Sequence, residues 1–144
     1  MNVETILRNK GSAVATMAPH ATIRDAAALL RRERIGALVI SRDGGAKIEG
    51  ILSERDIVHG LADRGASLLD MTVDALMTRR VFTCTPRDSV GDLMAMMTER
   101  RIRHIPVLTD GMLVGIISIG DVVKHRLDEM EYETSSLRSF IAGA

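Results

Sequence analysis

Apolar positions follow two rhythms along the chain, and each rhythm occurs twice. A short extended piece at 14–17 runs into Pro19, whose ring fixes φ and withholds an N–H. Thr22-x-x-Asp25 then has the order of a capping box, with Asp in place of Glu. Ala and Leu recur behind it at helical spacing over 26–33. Apolar runs at 35–40 and 48–52 flank Asp43-Gly44-Gly45, which predicts a strand hairpin. A second helix is predicted from Ser53 to about residue 63. The same string returns as an extended piece at 81–85, Pro86, Ser89-x-x-Asp92, a helix over 93–100, strands at 102–108 and 113–117 around Asp110-Gly111, and a helix from Ser118 to about 130.

Shifting the sequence by 67 residues lays 14–40 on 81–107 without a gap, with seven of 27 positions identical. After a loop two residues shorter, the offset becomes 65, and Gly50-Ile-Leu-Ser-Glu-Arg-Asp-Ile-Val58 matches Gly115-Ile-Ile-Ser-Ile-Gly-Asp-Val-Val123 at five of nine. The lead-ins 3–7 and 73–77 match at an offset of 70. This divides the chain into a first β-α-β-β-α repeat with its lead-in (3–65), a second with a lead-in helix (66–130), and a helical tail (131–144). A unit of about 60 residues is marginal alone and leaves one sheet face open. Two copies can bury those faces against each other. The expected fold is therefore α/β (α+β), two repeats packed by pseudo-twofold symmetry, with two equivalent clefts between them where a small ligand would lie.

Composition then removes whole classes of function. Nineteen basic and nineteen acidic residues give zero formal charge, which argues against a duplex DNA binder. One Tyr, two Phe and no Trp leave almost no stacking platform for single strands, so nucleic acid is not expected as a partner. The core must be aliphatic, with nine Met. Cys84 alone forms no intramolecular disulfide and no zinc cluster, and the histidines show no metal spacing beyond Asp121 and His125 at i and i+4. No apolar run spans a membrane and the first ten residues lack a secretory stretch, so the expected compartment is cytoplasmic.

Polar residues recur where the last strand of each repeat passes into a helix. Gly50-x-x-Ser53-x-x-Asp56 and Gly115-x-x-Ser118-x-x-Asp121 place a hydroxyl and a carboxylate at a helix N-terminus, where N–H groups and the helix dipole favour an anion. Ser53 and Ser118 can donate to phosphate, and Asp56 and Asp121 can accept from a ribose diol. The same atoms also make an ordinary helix cap. Arg103 and His104 enter a strand and suit phosphate oxygens, while the first repeat has Gly36 and Ala37 there. Pro106 belongs at an edge or a break in pairing. Arg55 is another phosphate candidate, ahead of Lys10, Lys124 and Arg126. No Walker A sequence, dinucleotide fingerprint or nucleophile elbow occurs, so no enzyme is expected.

These features together resemble a tandem pair of CBS (cystathionine β-synthase) domains, a Bateman module, in the manner of stand-alone bacterial two-CBS proteins. The duplicated Gly-x-x-Ser-x-x-Asp and the string His104-Ile-Pro106-Val107 carry the likeness over about residues 3–130. The resemblance implies a regulatory module that binds adenosyl nucleotides between the repeats, AMP first, with ADP, ATP or NAD(H) as further candidates. It implies that Asp56 and Asp121 hold ribose and that Ser53 and Ser118 help with phosphate. Adenine would lie in an apolar slot by Ile35, Gly36 and Ala37, or by Ile102 and His104, with Thr16 and Thr83 near the wall. It further implies a homodimer formed through helices, and a protein target that reads the ligand-bound state. A structural dimerisation scaffold with empty clefts is the alternative.

Overall fold

The computed structural model describes residues 1–143. Helix α1 (Val3–Lys10) precedes strand β1 (Thr16–Met17), helix α2 (Ile23–Glu33), strands β2 (Ala37–Ile40) and β3 (Gly50–Ser53), and helix α3 (Glu54–Arg64). Two 3₁₀ turns, Gly65–Asp70 and Val73–Ala75, lead into α4 (Val90–Arg100), β4 (His104–Thr109), β5 (Met112–Ser118) and α5 (Ile119–Gly143). The expected mixed α/β architecture is present. In the first repeat β2 pairs parallel with β1 and antiparallel with β3. In the second, β4 and β5 form an antiparallel hairpin whose Asp110-Gly111 turn takes φ of 52° and 79°, as a tight Asp-Gly turn requires. The second lead-in, expected as a helix, is the pair of 3₁₀ turns instead, and α5 runs unbroken through the tail.

One residue explains why the second sheet has lost a strand. Val39 N–H donates to the Ala15 carbonyl at 3.2 Å and so holds β1 in place. The matching donor in the second repeat is missing, because Pro106 stands at that position. The flanking bonds survive, from Cys84 N–H to the Pro106 carbonyl at 3.0 Å and from Leu108 N–H to the Cys84 carbonyl at 2.8 Å. The expected strand at 81–85 thus shrinks to a single bridge, Cys84 with Val107.

Core membership crosses the chain order. Val3 and Ile6 of α1 pack with Leu93, Ile105, Ile117 and Val122 of the second repeat. Leu68, Val73 and Met77, which precede the second repeat, pack with Ile23, Leu38 and Leu52 of the first. The hydrogen bonds are reciprocal. Val73 N–H donates to the Ala21 carbonyl at 2.8 Å, and Val3 N–H to the Asp88 carbonyl at 2.9 Å. Asp74 N–H donates to the Pro19 carbonyl at 3.1 Å, and Glu4 N–H to the Pro86 carbonyl at 2.9 Å. Each pair is related by the sequence offsets, which is what twofold packing of two copies demands.

The same exchange accounts for the glycine that opens each motif. A Cβ on Gly50 would lie 2.6 Å from Met77 Sδ and 2.9 Å from the Thr78 carbonyl, and one on Gly115 would lie 2.6 Å from Leu7 Cδ2. Met77 and Leu7 are equivalent residues of the two lead-ins. Gly50→Ala is expected to cost about 1–3 kcal/mol of stability, because the Thr78 backbone cannot move aside freely. Urea denaturation checks this, with Gly91→Ala as the harmless control, its nearest neighbour being Ser89 Oγ at 3.9 Å.

Candidate functional site

The two strand-to-helix junctions line a cleft of about 960 Å³ that takes in both Ser-x-x-Asp motifs. That volume lies within the range of small-ligand sites. Each motif first serves its own helix. Ser53 and Asp56 form a complete capping box, with Asp56 N–H donating to Ser53 Oγ at 3.2 Å and Ser53 N–H to Asp56 Oδ2 at 2.9 Å. Ser118 and Asp121 repeat it at 3.2 and 2.8 Å, and the Ser118 hydroxyl also donates to Asp121 Oδ2 at 2.9 Å. The next N–H groups are used as well: Glu54 donates to the Gly36 carbonyl at 3.0 Å and Ile119 to the Arg103 carbonyl at 2.8 Å. A helix start has four unpaired N–H groups, so the amides of Arg55 and Gly120 are what remain for an anion.

The halves differ in their carboxylates. Lys10, at the end of α1, reaches across to Asp121 Oδ2 at 2.6 Å and to the Ile116 carbonyl at 2.9 Å. Burial pushes the Asp121 carboxyl up, but hydrogen bonds from Lys10 and Ser118 and the Lys10 charge outweigh it, so it titrates below the ordinary carboxylate range. Arg80 occupies the position equivalent to Lys10, and its guanidinium lies 5.5 Å from the Phe82 ring centroid. Asp56 therefore has only its cap partners among the described residues, whereas Asp121 is held in an ion pair.

Six cations line the cleft, Lys10, Arg34, Arg55, Arg80, Arg101 and Arg103, against the three carboxylates Glu54, Asp56 and Asp121. The excess of three positive charges (six minus three) sits in a chain whose formal charge is zero. His104 crosses from β4 to the first repeat, where a Cβ on Gly36 would meet its Nε2 at 3.1 Å and Glu54 Oε1 at 2.9 Å. Burial holds the His104 imidazole below its ordinary value of 6.5, with Lys10 and Arg103 acting in the same direction against Glu54 and Asp121. The unfolded chain then takes up a proton before the folded one does. Stability is expected to be full above pH 6.5 and to fall as pH drops below it, and His104→Gln should flatten that slope in pH-dependent urea melts.

Of the residues expected from sequence, both motif Ser–Asp pairs, Arg55, Arg103 and His104, and Ile35, Gly36, Ala37 and Ile102 line this cleft. Thr16, Thr83 and Pro106 do not. The residues one earlier than the threonines, Ala15 and Phe82, do line it. Phe82 adds an aromatic face to the cleft, and Arg100 lies 4.8 Å from its centroid. Arg34 and Arg101 were missed although they are identical in the repeats; each takes the left-handed position at a helix C-terminus, with φ of 54° and 53°. His125 is buried and its Nε2 has no hydrogen-bond partner among the described residues. Cys84 is buried, and burial together with Asp88 pushes its thiol up to about 12. No group of three metal-ligating side chains occurs among the described residues. No helix there is long and apolar enough to cross a membrane.

A two-repeat α/β module with a cationic inter-repeat cleft is the class of protein that fold and site define. The CBS domain family model matches residues 11–63 and 73–128, and the chain belongs to that family. The mitochondrial CBS domain-containing protein CBSX3 of Arabidopsis thaliana is 36% identical over 85% of the chain, which spans 61% of that relative's length. The CBS-domain protein ATU1752 of Agrobacterium tumefaciens superposes with a TM-score of 0.84 at 42% identity, covering 88% of this chain and 99% of that one. The CBS domain protein PAE2072 of Pyrobaculum aerophilum, solved with AMP, matches at a TM-score of 0.79 and 29% identity over 93% of this chain and 99% of its own. The CBS pair of MJ0100, solved with 5′-methylthioadenosine and S-adenosylmethionine, matches at 0.79 and 27% over 90% and 98%.

Proposed function

We propose that the chain is a non-catalytic sensor of phosphorylated adenosyl nucleotides, bound in the cleft between its CBS repeats. The observation that carries this is the three-charge cationic excess beside two ribose-suited carboxylates in one cavity. Solved relatives hold AMP in one case and methylthioadenosine with S-adenosylmethionine in another. The charge here favours the phosphorylated class, because a sulfonium would meet like charges. The ribose diol is assigned to Asp56, the carboxylate not already paired, with phosphate on the Arg55 amide and the neighbouring arginines. Adenine lies by Ile35, Gly36 and Ala37. Binding regulates only if the nucleotide prefers one arrangement of the repeats, which a protein target then reads. AMP is the first ligand to test, with ADP, ATP and NADH beside it.

Competition of this panel against a fluorescent AMP analogue tests the reading. The phosphorylated ligands should displace the analogue at lower concentration than methylthioadenosine or S-adenosylmethionine. The reverse order overturns the charge argument. The complete capping boxes favour a second reading, a homodimeric scaffold in which Ser53 and Asp56 only cap α3. No binding by any ligand, with a dimer intact by light scattering, would establish it. The homodimer is common to both readings and draws support from exposed apolar residues on α3 and α5, Val58, Val123 and Leu127 among them.

A further inference from the structure

Helix α5 continues well past the body of the module, and every residue from 130 to 143 is exposed. A helical segment of about that length without a buried face is marginal in water. Apart from Tyr132 and Phe140, its exposed apolar residues form one stripe. Val123, Leu127, Met130, Leu137 and Ile141, each at least half exposed, are spaced four, three, seven and four apart. That is the a/d pattern of heptads, with Thr134 at the remaining a position. The flanking positions carry charge in a definite order, Arg126 and Glu133 at g and Lys124, Glu131 and Arg138 at e, with Phe140 at the last g position.

In parallel helices each g position faces the e position of the following heptad on the partner. Arg126 then meets Glu131 of the partner subunit and Glu133 meets Arg138 of the partner subunit, so both pairs are opposite in sign. An antiparallel alignment centred on Glu131 sets that residue against its own copy and Lys124 against Arg138. The present contact of Arg126 with Glu129 at 3.1 Å is an exposed pair of the kind that contributes little, so it does not hold Arg126 back.

We infer that α5 pairs with α5 of a second copy as a short parallel coiled coil over 123–141, which sets two modules side by side in the same direction. Because Ser118 caps the same helix at the cleft, the two clefts lie toward the same end of the dimer. The inference rests on the homodimer reading above and not on nucleotide binding. Thr134 is the polar layer, which gives register at some cost in stability.

Sedimentation equilibrium of the full chain, of Leu137→Lys, and oxidative cross-linking of Ile141→Cys test it. Leu137 is exposed in the single chain, so its substitution leaves the module folded, checked by circular dichroism. The native chain should be a dimer, and Leu137→Lys should raise its dissociation constant at least about tenfold. Ile141→Cys should form a disulfide dimer under glutathione, since the a positions of parallel helices lie within disulfide reach and Cys84 is buried. A native chain that is monomeric at every concentration removes both the homodimer and the coiled coil. A dimer indifferent to Leu137→Lys, or one that fails to cross-link through residue 141, removes the coiled coil alone.

Discussion

Ile6→Ala is expected to lower the stability of the folded chain by about 2–5 kcal/mol, the range for emptying a fully packed aliphatic site. Ile6 is only 4% exposed, and apart from Val3 and Leu7 of its own helix its cluster mates, Leu93, Ile105, Ile117 and Val122 among them, come from the second repeat. The loss should therefore appear first in the second repeat, although residue 6 lies at the opposite end of the sequence. Urea denaturation followed by amide hydrogen exchange measures both the size and the location. Arg8→Ala is the control, because that side chain is largely in solvent and, among the described residues, pairs only with Glu4. An Ile6→Ala effect below about 0.5 kcal/mol, the scale of ordinary surface substitutions, would mean that α1 is not part of that core.

The second large effect concerns Asp56. Asp56→Asn keeps a carbonyl oxygen to accept from Ser53 N–H, so the cap on α3 and the fold are retained. It removes the charged acceptor assigned to the ribose diol. Hydrogen bonds to a charged group are worth about 1.5–3 kcal/mol, so nucleotide affinity should fall by about 10–100-fold. Asp121→Asn should change affinity less than about threefold, because Lys10 already occupies that carboxylate. Its cost should appear as lost stability, since the ion pair is only 30% and 21% exposed. Lys10→Ala should free Asp121 and raise the number of nucleotides bound per chain, counted by calorimetry. Equal affinity losses at the two aspartates would mean that the inequality of the halves has no functional weight.

Why some of this was legible in the sequence and some was not follows from the physics of each signal. Repetition is a property of the string, so the offsets of 67 and 65 located α2, α4, the hairpins and both Ser-capped helices. Capping is local, so Ser53-x-x-Asp56 could be read directly, and the structure retains it as a cap. The exchange of lead-ins is not local. Residues 3–7 and 73–77 look alike in either packing, and it is tertiary contacts that distinguish them, the Gly50–Met77 and Gly115–Leu7 approaches and the Val73–Ala21 and Val3–Asp88 hydrogen bonds among them. The strand lost at 81–85 was written in Pro106, but its meaning depended on knowing that Val39 N–H binds Ala15. Thr16 and Thr83 do not line the cleft while their neighbours Ala15 and Phe82 do, a one-residue difference that a short extended run does not fix in the sequence. Arg34 and Arg101 were hidden differently: conservation between repeats marked them, yet a charged residue in a left-handed turn reads as surface until the turn is seen at the cleft mouth.

Calorimetric titration of AMP, and then of ATP and NADH, into the native chain and into Asp56→Asn/Asp121→Asn tests the central claim most directly. Saturable binding by the native chain that is lost in the double substitution is the predicted result. No heat from any of the three nucleotides with the native chain, or the same binding isotherm in both proteins, would contradict it.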